Sequence, residues 1–472
     1  MKMRLVLSLV SASSFLLLNG CISVGPDYEQ PETPMPDAWH EAVQEEFESG
    51  DPDLQIWWTV FGDDTLNSLI TKASTNNLDL KTAAARIEQA AALRGVSASQ
   101  YWPDIVAGAS ATAIKTSPMQ GSLEDEAYQA GLSMAWELDL WGRIRRSVES
   151  ADASLQASVE NYRDILVVLY ADIARNYIDV RTLQARIDFA ENNLEAQLKT
   201  MTLTQNRFDS GLVPALDVSQ SQLNSSRTES AIPPLKQSLI EAINRLSVLT
   251  GDMPYALLQE LKTQQPIPSS TGEQIARGLP ADLLRQRPDI RRAERELASQ
   301  NAKIGATQAD LYPTLTLPGS LAIQALGSGG DILSSDNVTY GFGPQLRWNI
   351  FNGKRIRSQV AAEEAGTKAA LYVYEQTILL ALEEVEDSMA AYANENDRVV
   401  SLEAAAAAAK KSVELVTELY KSGLTDFQNV LNMEQALLVQ QDALATSRGL
   451  ISLDLVGIYK SLGGGWAPPA AE

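Results

Sequence analysis

Few residues in this chain could do chemistry. His40 is the only histidine and Cys21 the only cysteine. A protein metal site needs three or four converging ligands, and neither residue has a partner of its kind. No GxxxxGK[ST] stretch is present to cradle a phosphate, and no GxSxG turn to carry a nucleophile. The densest acid group is Glu383, Glu384, Glu386 and Asp387. On a helix such a run is a solvated face, or an acidic wall along an aqueous channel. Acid–base work would need a pocket around it. No enzyme and no cofactor are read from these residues.

Cys21 has a different chemistry open to it. Residues 1–20 read as a secretory signal, with Lys2 and Arg4 before the apolar stretch Leu5 to Leu18. The cysteine follows Leu18-Asn19-Gly20 directly, which resembles the bacterial lipoprotein cleavage site. There the thiol is acylated and becomes the new N-terminus, so a covalent lipid is expected on Cys21. Ile22 follows, rather than the aspartate associated with inner-membrane retention, which resembles an outer-membrane address. A single cysteine leaves the mature monomer without an internal disulfide.

The 472 residues are 45% hydrophobic and 21% charged, with a net charge of −22. That composition is globular. An acidic chain without a clustered basic patch repels nucleic acid, so that partner class is excluded. After the signal no run of about 18 apolar residues occurs, so no transmembrane helix is expected. A membrane span would have to be a closed barrel.

The elements that position these residues begin with a strand. In Tyr128 to Leu140, Tyr128, Ala130, Leu132, Met134, Trp136, Leu138 and Leu140 alternate with Gln129, Gly131, Ser133, Ala135, Glu137 and Asp139. A period of two over this length predicts one uninterrupted strand with an apolar face. Glu137 and Asp139 fall on its polar face. A constant offset of about 210 residues then reveals an internal duplication. NLDLKTAAARI at Asn77 returns as RPDIRRAEREL at Arg287, and Pro103 as Pro313. RFDSGL at Arg207 returns as LYKSGL at Leu419 with an offset of 212. The second copy repeats the strand from Val338 to Ile350; the first hairpin strand, Ile105 to Ile114, is weaker because its residues are small.

Each copy predicts a helix, a β-hairpin, a very long helix, a tight turn and a return helix. The long helices should run from about Arg143 to Phe208 and from Arg355 to Tyr420, each about 100 Å at 1.5 Å per residue. Pro233-Pro234 should kink the first return helix. A stripe at Leu169, Ile173, Tyr177, Val180, Leu183, Ile187, Ala190, Leu194, Leu198 and Met201 is read as helix-to-helix core. Ile22 to Asp53 reads as an extended tether. In a hairpin the start of one strand and the end of the next share a level. That level collects Tyr101, Trp102, Trp136, Trp141, Tyr312, Trp348 and Phe351 as an aromatic girdle, as a membrane interface selects. The alternative is an aromatic core under a soluble sheet. Four strands cannot close a barrel with a lumen, so either they pack on something else or several chains share one barrel. The turns repeat Ser-Gly-Leu, which predicts docking tips at Gly211-Leu212 and Gly423-Leu424.

Signal and Cys21, Gly25-Pro26-Asp27-Tyr28, Trp57-Trp58, LDLKTAAARIEQA, DLWGRIRR, LPADLLRQRPDIRRAE and SGLTDFQNVL occur in that order. Together they resemble the outer-membrane factors of tripartite efflux pumps, the TolC-like superfamily in its lipoprotein OprM/NodT branch. The resemblance covers essentially the whole mature chain. It implies an α+β membrane protein: a trimeric 12-stranded β-barrel with four strands per chain, continued by a long α-helical periplasmic barrel. It implies a homotrimer, a periplasmic adaptor contacting the tips, and an inner-membrane pump of the resistance-nodulation-division type. The chain would be a passive exit duct, lipid-anchored in the outer membrane of a Gram-negative bacterium. A periplasmic lipoprotein scaffold without a pore and a duct for type I protein secretion are the alternatives. The periplasmic gate would map to Asp217 and Tyr420. Where TolC itself has two aspartates this chain has Asn429 and Asn432, and Asp426 offers charge one turn away.

The resulting organisation is a signal peptide (1–20), a lipidated tether (21–53), an equatorial segment with the first barrel helix (54–100) and a first β-hairpin (101–141). A first long helical hairpin (142–251), a linker and equatorial segment (252–285) and a second-repeat helix (286–311) follow. A second β-hairpin (312–352), a second long helical hairpin (353–462) and a tail (463–472) complete it.

Overall fold

Alternating residues make the strands, and two prolines decide where their hydrogen bonding stops. The structure, a computed structural model, describes residues 23–32, 54–115, 124–270, 281–327 and 334–466. Its strands are β1 (Asp104–Lys115), β2 (Glu124–Ala135), β3 (Glu137–Leu138), β4 (Thr314–Thr316), β5 (Gly319–Leu326), β6 (Val338–Phe342) and β7 (Gln345–Arg347). They form a four-stranded antiparallel sheet, β1-β2-β5-β6, and a three-stranded one, β3-β4-β7. The uninterrupted strands expected at Tyr128 to Leu140 and Val338 to Ile350 are therefore each divided. Pro318 and Pro344 sit at the break and have no N–H to donate to a ladder. The register nevertheless continues across it. Met134 faces Gly319 and Glu137 faces Thr316, while Gly319 faces Phe342 and Thr316 faces Gln345. The phase of the alternation survives, and Leu317 N–H still donates to Trp136 O at 2.7 Å.

The small-residue strand β1 pairs with β2 along its whole length. Ile105, Ala107 and Ala109 lie opposite Met134, Leu132 and Ala130. Those in turn oppose Gly319, Leu321 and Ile323, and then Phe342, Tyr340 and Val338. Directly opposed residues share a face, so one face is apolar across all four strands. The other carries Ser110, Thr112, Gln129, Ser133, Ser320 and Thr339. Ile105, Leu132, Leu321, Tyr340 and Phe342 are all exposed, so the described chain lays no core against the apolar face.

The helices are α1 (Asp64–Asn76), α2 (Leu78–Ser99), α3 (Arg143–Asp209), α4 (Ala215–Leu249), α5 (Pro288–Ala309), α6 (Arg355–Lys421) and α7 (Phe427–Ser461). α3 and α6 have 67 residues each. α4 is continuous through Pro233-Pro234. Four helices end alike. Gly211, Gly251, Gly423 and Gly463 have φ of 72°, 78°, 73° and 74°. The next N–H reaches back five residues in each case, as from Leu212 to Arg207 O and from Leu424 to Leu419 O. This is the Schellman ending, which needs a left-handed residue and so favours glycine.

The chain divides into two compact units. The first comprises Met1–Thr33, Ala85–Val159 and Arg291–Gln376, and the second Pro34–Ala84, Glu160–Ile290 and Thr377–Glu472. The first unit holds the sheet. It also corrects the reading of the N-terminal tether, because Ser23 to Glu32 is strapped down. Val24 N–H donates to Trp141 O at 3.0 Å, and buried Arg146 pairs with Asp27 at 2.6 Å. A Cβ on Gly25 would overlap the backbone of Gly305. Tyr28 donates to Glu294, and Arg295 lies over the Tyr28 ring at 5.6 Å.

In the second unit the turn Leu54–Phe61, α1, the start of the linker and the C-terminal end of α7 meet. Trp57 stacks on Tyr459 at 5.4 Å, and Gly465 N–H donates to Leu54 O. Buried Arg181 donates to Gln184, Thr263 O, Tyr177 and Gln265. Tyr177 donates in turn to Asp63, the N-cap of α1. Arg287 of the RPDI motif binds Asp289, Glu384 and Ser461 O. Glu384 thus serves a structural ion pair, which neither reading of the acid run supplied.

The apolar stripe on α3 holds only in part. Leu169, Ile173, Tyr177, Val180, Ile187 and Ala190 are buried. Beyond them the buried seam passes to Asn193, Gln197, Thr200 and Thr204, and Leu198 turns outward. The seam keeps a spacing near 3.5, which the sequence's leucines leave.

Candidate functional site

The aromatic level is assembled in the first unit by hairpin register. Asp104 faces Ala135 and Thr314 faces Arg347, which brings the strand ends to the turns before Pro103 and Pro313. Trp136 Nε1 then donates to Tyr101 O at 3.0 Å, and Trp348 Nε1 to Leu311 O at 3.1 Å. Trp141 Nε1 donates to Pro313 O at 2.8 Å, and its ring stacks on Tyr312 at 4.7 Å. Each indole has one polar atom, and all three spend it on a backbone carbonyl. Trp102 and Phe351 are strongly exposed, at 76% and 89%.

Two polar residues of this level have partners that the alternation did not reveal. Arg143 grips both oxygens of Glu137, at 2.8 and 2.9 Å. Asp139 accepts from the N–H groups of Ile144 and Arg145 at 3.1 and 2.9 Å. It satisfies donors that the first turn of any helix leaves open. Both lie on the polar face of the alternation, and both fasten the start of α3. The strap reaches this level as well, since Ser23 lies against Gly142 and Val24 bonds to Trp141.

The hairpin turns lie in the second unit. Leu212 and Leu424 follow the left-handed glycines and are 67% and 74% exposed. A Schellman ending often packs that residue back on its helix; here neither leucine does so. Asp217 stands in the first turn of α4, half-buried. Burial raises its carboxyl pKa, the charge of Asp426 adds to this, and Arg207 opposes it. Asp426 is exposed at the N-cap of α7 and makes no side-chain cap bond. Asn429 donates to Thr425 at 2.8 Å, and Asn432 accepts from Gln428 at 2.9 Å. Tyr420 is placed differently from an entrance residue. It is 2% exposed, packed with Val416, Phe427 and Val430. Burial raises its hydroxyl pKa.

Above the turns, Glu434 is buried between three helices. Thr200 donates to one oxygen at 2.8 Å and Asn224 to the other at 2.9 Å. Burial raises its pKa, and these neutral donors oppose the shift. The sequence patterns did not reveal Glu434, Arg181 or Arg207, each of which has a partner 82 or more residues away. The one available signal was Arg207, a cation in the last turn before a helix-ending glycine. Cys21 and His40 lie outside the described residues. Among the described residues no group of three or more His, Cys, Asp or Glu is placed to hold a metal ion, and no helix is long and apolar enough to cross a membrane.

An uncovered apolar sheet joined to helical hairpins of this length defines the channel class of outer-membrane proteins. The family model described as "Outer membrane efflux protein" matches residues 69–252 and 279–464. Nodulation protein T of Rhizobium leguminosarum bv. trifolii is 31% identical over 439 residues, 91% of each chain. The toluene efflux pump outer membrane protein TtgI of Pseudomonas putida is 29% identical, covering 96% of this chain and 97% of its own. The solved outer-membrane channel OprN superposes with a TM-score of 0.89 at 35% identity, covering 94% of this chain and all of that one. The chain belongs to the outer membrane efflux protein family. It is an outer-membrane efflux channel, in a family of transport channels.

Proposed function

We propose that three copies of this chain close one 12-stranded barrel in the outer membrane and continue as a helical duct through the periplasm. The duct passes substrates from an inner-membrane pump of the resistance-nodulation-division type, handed over through a periplasmic adaptor. It is passive, and the pump supplies the energy and selects the cargo. The observation that carries the reading is the sheet. Among the described residues its apolar face is uncovered across four strands, and β1 and β6 are open edges. In lipid an open edge strands its N–H and C=O groups, so the edges must meet those of other copies. β1 alone spans roughly 40 Å at 3.3 Å per residue, enough for a bilayer when tilted.

The strap supports a lipid on Cys21. Ser23 and Val24 are held at the Trp141 level, and two residues reach at most about 7 Å. An acyl chain on Cys21 would leave the protein beside the aromatic girdle, at the height this reading gives the membrane interface. The exposed Leu212 and Leu424 suit an adaptor docking on the turns. Asp217, Asp426, Asn429 and Asn432 are the polar groups of the gate, and Tyr420 acts on it through packing.

A scaffold without a pore would need no uncovered apolar sheet. The test is a Cys21→Ala protein exported through a cleavable signal. It should still be extracted from the outer membrane as a trimer and conduct ions in planar bilayers. Recovery as a soluble monomer sinks the duct.

A further inference from the structure

Arg207 stands in the last turn of α3 and reaches the other hairpin of the same chain. Its Nη1 donates to Tyr420 O at 2.6 Å and to Lys421 O at 2.9 Å. These carbonyls end α6, where a helix leaves few N–H groups for them; Tyr420 O keeps that of Gly423, at 3.0 Å. The guanidinium lies 4.8 Å over the Tyr420 ring, and Nη2 would be 3.7 Å from a Cβ on Gly423. A planar cation there meets the negative helix end and an aromatic face together.

The duplication makes the contact one-way. At the offset of 212, Arg207 corresponds to Leu419, and Phe208 to Tyr420. Leu419 and Phe208 are 44% and 40% exposed, whereas Tyr420 is buried. A Cβ on Gly211 would meet nothing within 4 Å, where one on Gly423 meets Arg207. The first turn holds the second, and the second offers no equivalent arginine in return.

We propose that Arg207 is the latch that fixes the second hairpin turn onto the first within each chain. It is a positioning residue: it touches no cargo and acts by seating Tyr420 and the end of α6. The proposal rests on the gated-duct reading. It adds that opening the tips requires this bond within a chain to be released.

Hydrogen–deuterium exchange on the detergent-purified protein reads the latch directly. In Arg207→Met, Gly423 and Leu424 amides should exchange roughly tenfold faster, the scale of losing a charged hydrogen bond. Gly211 and Leu212 should be unchanged, and closed-state conductance in planar bilayers should rise. Arg207→Lys keeps the charge near Asp217 and Asp426 but lacks the fork and the stacking plane, so it should exchange like the methionine variant. Equal acceleration at both turns means general loosening and overturns the latch. Wild-type exchange at Gly423 and Leu424 overturns it too, and full protection by lysine assigns the hold to charge instead of the cap. An Arg207→Met trimer that inserts but passes no current sinks the duct reading alone, because exchange still decides the latch.

Discussion

Arg181 is a cation with almost no water around it, 1% exposed. Its partners are a glutamine, a carbonyl, a phenol and a second glutamine, and the nearest acid in the network, Asp63, is reached through Tyr177. Such a charge is tolerated because four acceptors point lone pairs at its two Nη atoms. Arg181→Met leaves several of those acceptors buried and unpaired, a loss of about 3 kcal/mol. The midpoint for heat-induced loss of helical circular dichroism should fall by on the order of 5 °C. Asp454 behaves in the opposite sense. Its carboxyl is pushed up to about 6, first by burial and then by the charge of Glu395, with Arg175 opposing. The folded chain holds this proton more tightly than the unfolded one, so ionisation costs stability. The cost is present above about pH 6 and fades as pH falls toward the ordinary aspartate value of about 4. Asp454→Asn should therefore raise the melting midpoint at pH 8, with the gain shrinking toward pH 4. A gain that does not depend on pH would assign the effect to packing.

At the scale of elements, the strap and the long helices teach different lessons. The helices were legible because the stripe from Leu169 to Met201 keeps a period near 3.5 and both copies stop at a Ser-Gly-Leu turn; α3 and α6 begin at Arg143 and Arg355 as expected. The strap was not legible. Proline and acid in residues 22–53 look like linker, and only the close approach of Gly25 to Gly305 shows why two glycines stand there. A Cβ on Gly305 would meet Val24 O at 2.7 Å and Arg146 Cγ at 2.8 Å. Gly305→Ala should lift the strap, seen as faster exchange of the Val24 amide with the sheet amides unchanged. The polar seam of α3 was hidden for another reason. Its buried positions follow geometry, while the leucines follow a face that this chain alone does not cover.

For the whole molecule, the sheet is unfinished and its apolar face is bare. A protein in water would cover both. The duplication supplies two hairpins, and antiparallel pairing of β2 with β5 joins them into one sheet. The outer strands β1 and β6 are left for other copies, which is why the proposed trimer and the membrane face stand or fall together. The Asp217, Asp426 and Arg207 charges gather at turns from both repeats. The proposed gate, built there, would sense how the two hairpins of a chain are held, as well as how chains meet.

The sequence by itself determined whatever repeats locally: the two-residue alternation, the long helical period, the left-handed glycines, the 210-residue duplication and the motifs of the family. Each is set by neighbours a few residues apart, so it can be read along the chain. Only the tertiary structure decided that Pro318 and Pro344 interrupt bonding without shifting register. It also decided that Asp139 caps α3, that Tyr420 is core and that Arg207 grips the opposite hairpin. Those outcomes depend on groups about 5 to more than 200 residues apart meeting at hydrogen-bond distance, and no pattern along the chain encodes that distance.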